Sequence, residues 1–385
     1  MNKRIDKILI ICRSFYPEIS PRSFRATELA KEFVRQGFDV SVLTRKQTFD
    51  YTDFLERYPL RFFNFRRLRL MPFKTSSWKW IGDLPRKFGR LLYLLFNYPD
   101  IELVWRVKQA LQHQDGFDLV ISIAVPHSIH WGTAWARKRD HKIGQIWVAD
   151  CGDPYYLNTL ESIKPPFYFA WLEKWFCKKA DFIAIPFKDL SNYFFSEFHQ
   201  KIRVIPQGFN FDDIKIDKRE PVNIKPTFAY AGGIAKSGVR SPMSLIKILM
   251  NFEEDFEFHL FASTGYELVS MLGEKSDYRI VVHKAVPREM LIPELSKMDF
   301  LINLYIKGTE AKQVPSKLID YALAGRPILN IDPINPDENT LKKFIMRDYQ
   351  DAFTINGIQN YNIKNVAMQF IDLVAPNIKD RSAIK

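Results

Sequence analysis

Along this chain, short runs of consecutive apolar residues alternate with longer stretches whose apolar positions recur every three or four residues. The short runs at 7–12, 39–44, 118–124, 145–150, 181–186 and 203–206 predict strands. The periodic stretches at 23–36, 128–139 and 167–179 predict helices between them. Strands that are apolar on both faces and separated by helices imply a parallel sheet covered on each side. A polar stretch over 208–226 carries Pro221 and Pro226 and reads as a linker. The alternation then restarts, with strands at 227–231, 257–262, 279–283, 299–304 and 327–331 and helices at 242–251, 288–297 and 316–324. The expected architecture is α/β, with two Rossmann-like domains facing a central cleft. The N-terminal domain spans 1–208, the linker 209–226 and the C-terminal domain 227–385. A last helical stretch, 366–374, can pack on either domain. Ligands of such sheets bind beyond the carboxyl ends of the strands.

With 385 residues the chain is too long for one ordinary α/β domain and suited to two. Charge changes the picture more. The formal net charge is +12, and 57–90 holds ten cationic residues against Asp83 alone, so +9 of it lies in one segment. That segment reads as an insertion before a helix near 102–113, longer than ordinary βα connections, and long loops of this kind are often functional. Phe62, Phe63, Phe65, Phe73, Trp78, Trp80 and Phe88 interleave with its cations, among them Arg66, Arg67 and Arg69. Aromatics with cations suit the headgroup region of an anionic bilayer; a solvated loop accounts for the same composition. No nucleic-acid motif accompanies it, so no nucleic-acid partner is expected. No stretch approaches the ~20 apolar residues that span a bilayer, and the apolar run after Lys3, Arg4 and Lys7 is too short for a signal peptide. Cys12, Cys151 and Cys177 form no CxxC pair and are odd in number, so neither a disulfide framework nor a zinc site is expected. A cytoplasmic location follows, with room for peripheral attachment to the cytoplasmic face of the membrane.

Several chemistries are disfavoured by missing motifs. Neither half carries GxGxxG after its first strand, and no GxxxxGK[ST], HExxH, GxSxG, His/Cys cluster or DxD metal–diphosphate motif occurs. Four patterns remain. Tyr16-Pro17-Glu18 follows the first strand and leads to Arg22 and Arg25, where a helix N-terminus can hold an anion; an ordinary βα turn with surface arginines explains it as well. Asp150-Cys151-Gly152-Asp153-Pro154-Tyr155 closes a strand, so Asp153 can orient a sugar hydroxyl or accept its proton, or simply start a turn. His127 and His130 stand in the same region, where capping and substrate contact fit equally. Tyr230-Ala231-Gly232-Gly233 ends the first strand of the second half, followed by Lys236, Arg240 and a helix opened by Ser241-Pro242. Glycines admit a diphosphate close to the backbone and cations neutralise it, although a Gly-Gly turn also has a purely structural use. The most specific pattern is Val314-Pro315-Ser316-Lys317-Leu318-Ile319-Asp320-Tyr321, running on to Gly325-Arg326-Pro327-Ile328. Pro315-Ser316 suits a helix start and Gly325 its stop. Lys317 and Asp320, three apart, share a face, a lysine for phosphates and a carboxylate for a ribose or sugar hydroxyl.

In order and spacing these motifs resemble the GT-B-fold retaining glycosyltransferases of the GT4-like family, glycosyl transferases group 1, over nearly the whole chain. The family's YPP-like turn, arginine-bearing helix and GHxVxVLT strand are similar to Tyr16-Pro17-Glu18, Arg25 and the run from Gly37 to Thr44. Its DxRDxW, ADAVVAVS, KIRVIPNGVD and PSKLxEYLAAGKPVI stretches are similar to 150–155, 180–186, 201–210 and 315–328. There are departures. Ser20-Pro21 replaces the glycine pair of the first loop. Of the E-x7-E pair, the second glutamate corresponds to Asp320 and the first falls at Lys312. Gly233 stands where the family has an arginine, leaving Lys236 or Arg240 to supply that charge.

The resemblance implies transfer of a sugar from a UDP- or GDP-sugar to an acceptor, with retention and with no obligatory metal or other cofactor. The donor would meet Gly232, Gly233, Lys236, Arg240, Pro315, Ser316, Lys317 and Asp320, and the acceptor Tyr16, Arg25 and His127. Asp153, Arg240 and Lys317 are the expected catalytic residues, the two cations stabilising the leaving diphosphate as charge develops. Together with Arg66, Arg67, Arg69, Trp78 and Trp80 as a membrane contact, this points to a lipid-linked or cell-envelope glycan acceptor in polysaccharide biosynthesis. Two alternatives stay open: a catalytically degenerate glycosyltransferase-like binding subunit, motivated by the altered E-x7-E pair, and a nucleotide-sugar epimerase on the same fold.

Overall fold

The computed structural model describes residues 5–18, 20–45, 49–65, 68–70, 84–138, 140–158, 165–214, 216, 222–238, 241–305 and 316–374. By contact the chain forms two compact units, Met1–Phe209 with Asn360–Lys385, and Asn210–Gln359.

The first unit runs β1 (Lys7–Ile11), α1 (Pro21–Arg35), β2 (Asp39–Arg45), α2 (Thr52–Arg57), β3 (Arg61–Phe65), α3 (Leu84–Phe96) and α4 (Glu102–Leu111). It continues through β4 (Phe117–Ala124), α5 (Ser128–Ala136), β5 (Gly144–Cys151), α6 (Tyr168–Lys179), β6 (Phe182–Ile185) and β7 (Ile202–Val204). The strands form one parallel sheet in the order β3-β2-β1-β4-β5-β6-β7. Every residue of β4 is buried, because helices cover both faces of the sheet. One core joins Leu103, Val107, Trp131 and Phe176 to one face; the other joins Leu29, Phe33, Val366 and Phe370 to the opposite face. At the start of α1 the Ser20 hydroxyl accepts from the Ser23 amide at 3.2 Å and Pro21 sits in the first turn, so Ser20-Pro21 forms a helix cap.

The expected insertion over 57–90 is corrected in part. Residues 61–65 are β3, an edge strand paired with β2. Phe62 packs edge-on to Phe15 at 5.6 Å, and Phe65 is buried. Aromatics assigned from sequence to a bilayer contact therefore fill this unit's core at β3, where apolar burial is worth about 25 cal/mol per Å².

The second unit runs β8 (Thr227–Gly233), α7 (Met243–Met250), β9 (Glu257–Thr264), α8 (Leu272–Lys275), β10 (Ile280–Lys284) and α9 (Arg288–Leu295). β11 (Phe300–Leu304), α10 (Ser316–Ala324), β12 (Ile328–Ile331) and α11 (Glu338–Ile345) complete it. Its parallel sheet has the order β10-β9-β8-β11-β12, again with a core on each face. The chain then returns to the first unit as α12 (Ile363–Asp372), capped by Asn362, whose side chain accepts from the Lys364 amide at 3.1 Å. Ile363, Val366, Ala367 and Phe370 form the stripe that α12 lays against the first core.

Candidate functional site

In a doubly wound sheet the strand order reverses at one point, and the loops on either side splay apart there to leave a crevice. In the second unit that point lies between β8 and β11. A cavity of about 240 Å³ opens at this end of the sheet, lined by Ala231, Gly232, Phe261, Ser263, Ala285, Val286, Leu291, Lys317, Asp320 and Tyr321. Local sequence explains its shape. β8 ends in a register shift against β9 at Gly232 and Gly233. Gly232 has φ +153°, a conformation that side-chain-bearing residues avoid, and a Cβ at Gly233 would stand 2.8 Å from Thr264 Oγ1. The strand therefore ends with bare backbone facing the cavity side.

α10 supplies the polar groups and is held in place by Tyr321. The buried Tyr321 hydroxyl accepts from the Ala231 amide at 2.8 Å and lies 3.1 Å from the Ile302 carbonyl oxygen, tying the helix to β8 and β11. One turn earlier, Lys317 Nζ stands 5.2 Å over the Tyr230 ring. Tyr230 in turn donates from its hydroxyl to the Gly233 carbonyl at 3.0 Å. Asp320 Oδ1 accepts from Arg288 Nε at 2.5 Å. Burial raises the Asp320 carboxyl, and the Arg288 guanidinium opposes that rise. One cation, one carboxylate held by Arg288, and glycine backbone thus share the wall of one cavity, a chemistry that accepts an anion with attached hydroxyls.

In the first unit the strand ends carry a different set. Asp153 follows β5 with its carboxylate largely exposed, 2.5 Å from Arg22 Nη2. Gly152 makes this pair possible: a Cβ there would lie 1.7 Å from Arg22 Nη1, so the guanidinium occupies the space that any other residue would fill. His127, just before α5, is buried, with its ring 4.9 Å from that of Tyr155. Burial lowers its imidazole to about 4, against the pull of Asp153 and with that of Arg22, so the ring is neutral near pH 7. Behind it His130 is sealed in a chain of contacts. Trp147 Nε1 donates to Ser122 Oγ at 2.8 Å, Ser122 Oγ lies 2.8 Å from His130 Nδ1, and His130 Nε2 lies 3.4 Å from Cys151 Sγ. An indole can only donate, so Ser122 Oγ accepts from Trp147. Cys12, Cys151 and Cys177 are all buried and free.

The sequence-derived residues fall unequally. Gly232, Lys317 and Asp320 line the cavity. Lys236 is exposed beyond it, where its carbonyl accepts from the Ser241 hydroxyl at 3.2 Å. Asp153 and His127 share the β4–β5 end of the first sheet. Tyr16 follows β1, stacked on Phe54 at 5.0 Å. Arg25 is elsewhere occupied. It is buried and bidentate to Asp150 at 2.9 and 3.1 Å, and it donates to the carbonyls of Ile205 and Pro206. Its guanidinium also stands over the Phe370 ring at 5.3 Å. Arg25 is thus a clamp between α1, β5 and α12. Arg69 is exposed, and its amide donates to Glu102 Oε2 at 2.7 Å. Arg240, Pro315, Arg66, Arg67, Trp78 and Trp80 lie outside the described residues, as does the side chain of Ser316. Sequence reasoning missed Arg288, Phe261 and Ser263. The rule that places ligands at the carboxyl ends of strands points to the last two, since both close β9.

The fold defines a class. The sucrose-phosphate synthase of Thermosynechococcus elongatus superposes with a TM-score of 0.58 at 14% identity, covering 97% of this chain and 100% of that one. The lipopolysaccharide outer core galactosyltransferase WaaB, in its apo form, gives 0.52 at 12% identity over 98% and 99%. Anabaena HepE in complex with UDP and glucose gives 0.50 at 11% identity over 99% and 100%. The two sheets are those of the GT-B architecture. No curated protein sequence matches the chain significantly. Residues 23–208 match the glycosyl transferase 4-like domain. The chain is a GT-B-type glycosyltransferase that carries a glycosyl transferase 4-like domain in its N-terminal half.

Proposed function

We propose that the protein transfers a sugar from a nucleoside-diphosphate sugar, UDP- or GDP-linked, to a lipid-linked or cell-envelope glycan acceptor, with retention of anomeric configuration and no obligatory metal. The carrying observation is the cavity beside Gly232, Lys317 and Asp320. There the Lys317 ammonium meets the diphosphate and stabilises the charge that grows as the sugar departs, an effect larger in a partly dried site than in water. Asp320, held by Arg288, accepts from a ribose or sugar hydroxyl. HepE, crystallised with UDP and glucose, has the same fold and supports a uridine nucleotide as the first donor to try. In the first unit Asp153 is read as the group that orients the acceptor hydroxyl, and neutral His127 as a neighbour of that site. Arg25 serves by holding Asp150, and through it the strand end before Asp153.

Titration calorimetry with UDP and GDP, with and without magnesium, tests the donor half. One nucleotide should bind without magnesium. Lys317→Ala should weaken it about 10- to 100-fold, since a hydrogen bond to a charged group contributes about 1.5–3 kcal/mol. Equal affinity in the variant would remove Lys317 from the donor site.

A further inference from the structure

Helix α3 breaks the rule that the other long helices of the first unit obey. It reads Leu-Pro-Arg-Lys-Phe-Gly-Arg-Leu-Leu-Tyr-Leu-Leu-Phe, apolar on almost every side of its second half. None of its described side chains is buried. Leu91 is 48% exposed and Phe96 56%. Beside it begins α6, joined through the Tyr168 hydroxyl, which donates to the Leu95 carbonyl. At that start Phe167 and Trp171, 68% and 70% exposed, pack edge to face at 6.0 Å. A water-facing group of large apolar side chains of this kind marks an interaction site.

We propose that α3 and the start of α6 form a surface that beds into an anionic lipid monolayer. Charge selects the partner. Lys87 and Arg90 are exposed on α3, which has no acidic residue at all. A second copy of the chain would bring the same cations face to face, and like charges oppose such a pairing. A sheet of anionic headgroups neutralises both and takes the apolar side chains beneath it. The aromatic share suits that depth, since tryptophan and its kin favour the boundary between headgroup and acyl chain. Length rules out crossing: 13 residues rise about 20 Å, short of the ~30 Å hydrocarbon core. Among the described residues no helix is long and apolar enough to span a membrane. The inference deepens the reading of a lipid-borne acceptor, because it states where the enzyme would meet the surface carrying one.

The test is co-sedimentation of the full chain with vesicles of phosphatidylglycerol and phosphatidylcholine in equal parts, and with phosphatidylcholine alone. Binding should require the anionic lipid and weaken at about 0.5 M salt, where charges are screened within a few Å. Leu91→Glu with Phe96→Glu, and separately Lys87→Glu with Arg90→Glu, should each lower partitioning at least tenfold while UDP or GDP affinity stays unchanged. Quenching of tryptophan emission by brominated lipid, smaller in Trp171→Phe than in the native chain, reads the same contact without adding charge. Equal binding by all variants, no vesicle binding, or a lipid-free dimer that Leu91→Glu with Phe96→Glu dissociates would each overturn the proposal. Vesicle binding without any nucleotide affinity would leave this surface standing and remove the donor reading instead.

Discussion

Glu173 shows how much a single buried carboxyl can report. Its Oε2 accepts from the Tyr156 amide at 2.8 Å, while Oε1 is buried with no hydrogen-bond partner among the described residues. Burial pushes the group up to about 7, and the Tyr156 amide pulls the other way. The native state therefore keeps its proton where an unfolded chain, ionising near 4.5, has lost it. Stability contributed by this site is highest below about 4.5, falls as pH rises, and levels off above about 7. Glu173→Gln should flatten that slope and raise the melting temperature at pH 8, with about 3 kcal/mol as the upper scale of the relieved penalty. Melting curves from pH 5 to 8 check it; parallel curves for variant and native chain would show Glu173 ionised in both states. Arg25 teaches the converse at the same scale. From sequence it was an acceptor candidate, because an arginine after the first strand reads alike whether it faces a ligand or a neighbour. Its partners, Asp150, Ile205 and Pro206, lie far along the chain, and only folding brings them to it.

Helices and strands were more legible than individual side chains. Continuous apolar runs marked the buried strands, and the restart after 226 marked a second sheet, since each signal is local. β3 escaped because its apolar residues sit among arginines at a sheet edge, where one pairing with β2 holds it. The Pro315–Ile328 pattern pointed to a helix with Lys317 and Asp320 on one face. What it could not disclose was the anchor. Tyr321 reaches from α10 to the Ala231 amide and the Ile302 carbonyl, contacts set by tertiary packing. Tyr321→Phe leaves the Ala231 amide buried without that acceptor, which costs about 1–3 kcal/mol. Because α10 carries Lys317 and Asp320, the same change should also weaken nucleotide binding several-fold. Denaturant melts paired with calorimetry check both effects; a loss of stability with native affinity would mean that α10 holds its position without this tie.

For the whole molecule, the two doubly wound parallel sheets together with the glycosyl transferase 4-like domain define a GT-B-type glycosyltransferase, and a cavity opens at the carboxyl end of its second sheet. The residues that depart from the family pattern do not disturb that arrangement where they are described. Ser20-Pro21 caps α1, and Gly233 closes β8 against Thr264. Arg288 pairs with Asp320. The central claim is turnover of a sugar nucleotide at this cavity. The most direct measurement is chromatographic detection of free UDP or GDP released by the full-length protein from a panel of UDP- and GDP-sugars, run beside Lys317→Ala. Release from at least one donor, slowed tenfold or more in the variant, is the expected result. No release from any donor, or the same rate with Lys317 removed, would contradict it.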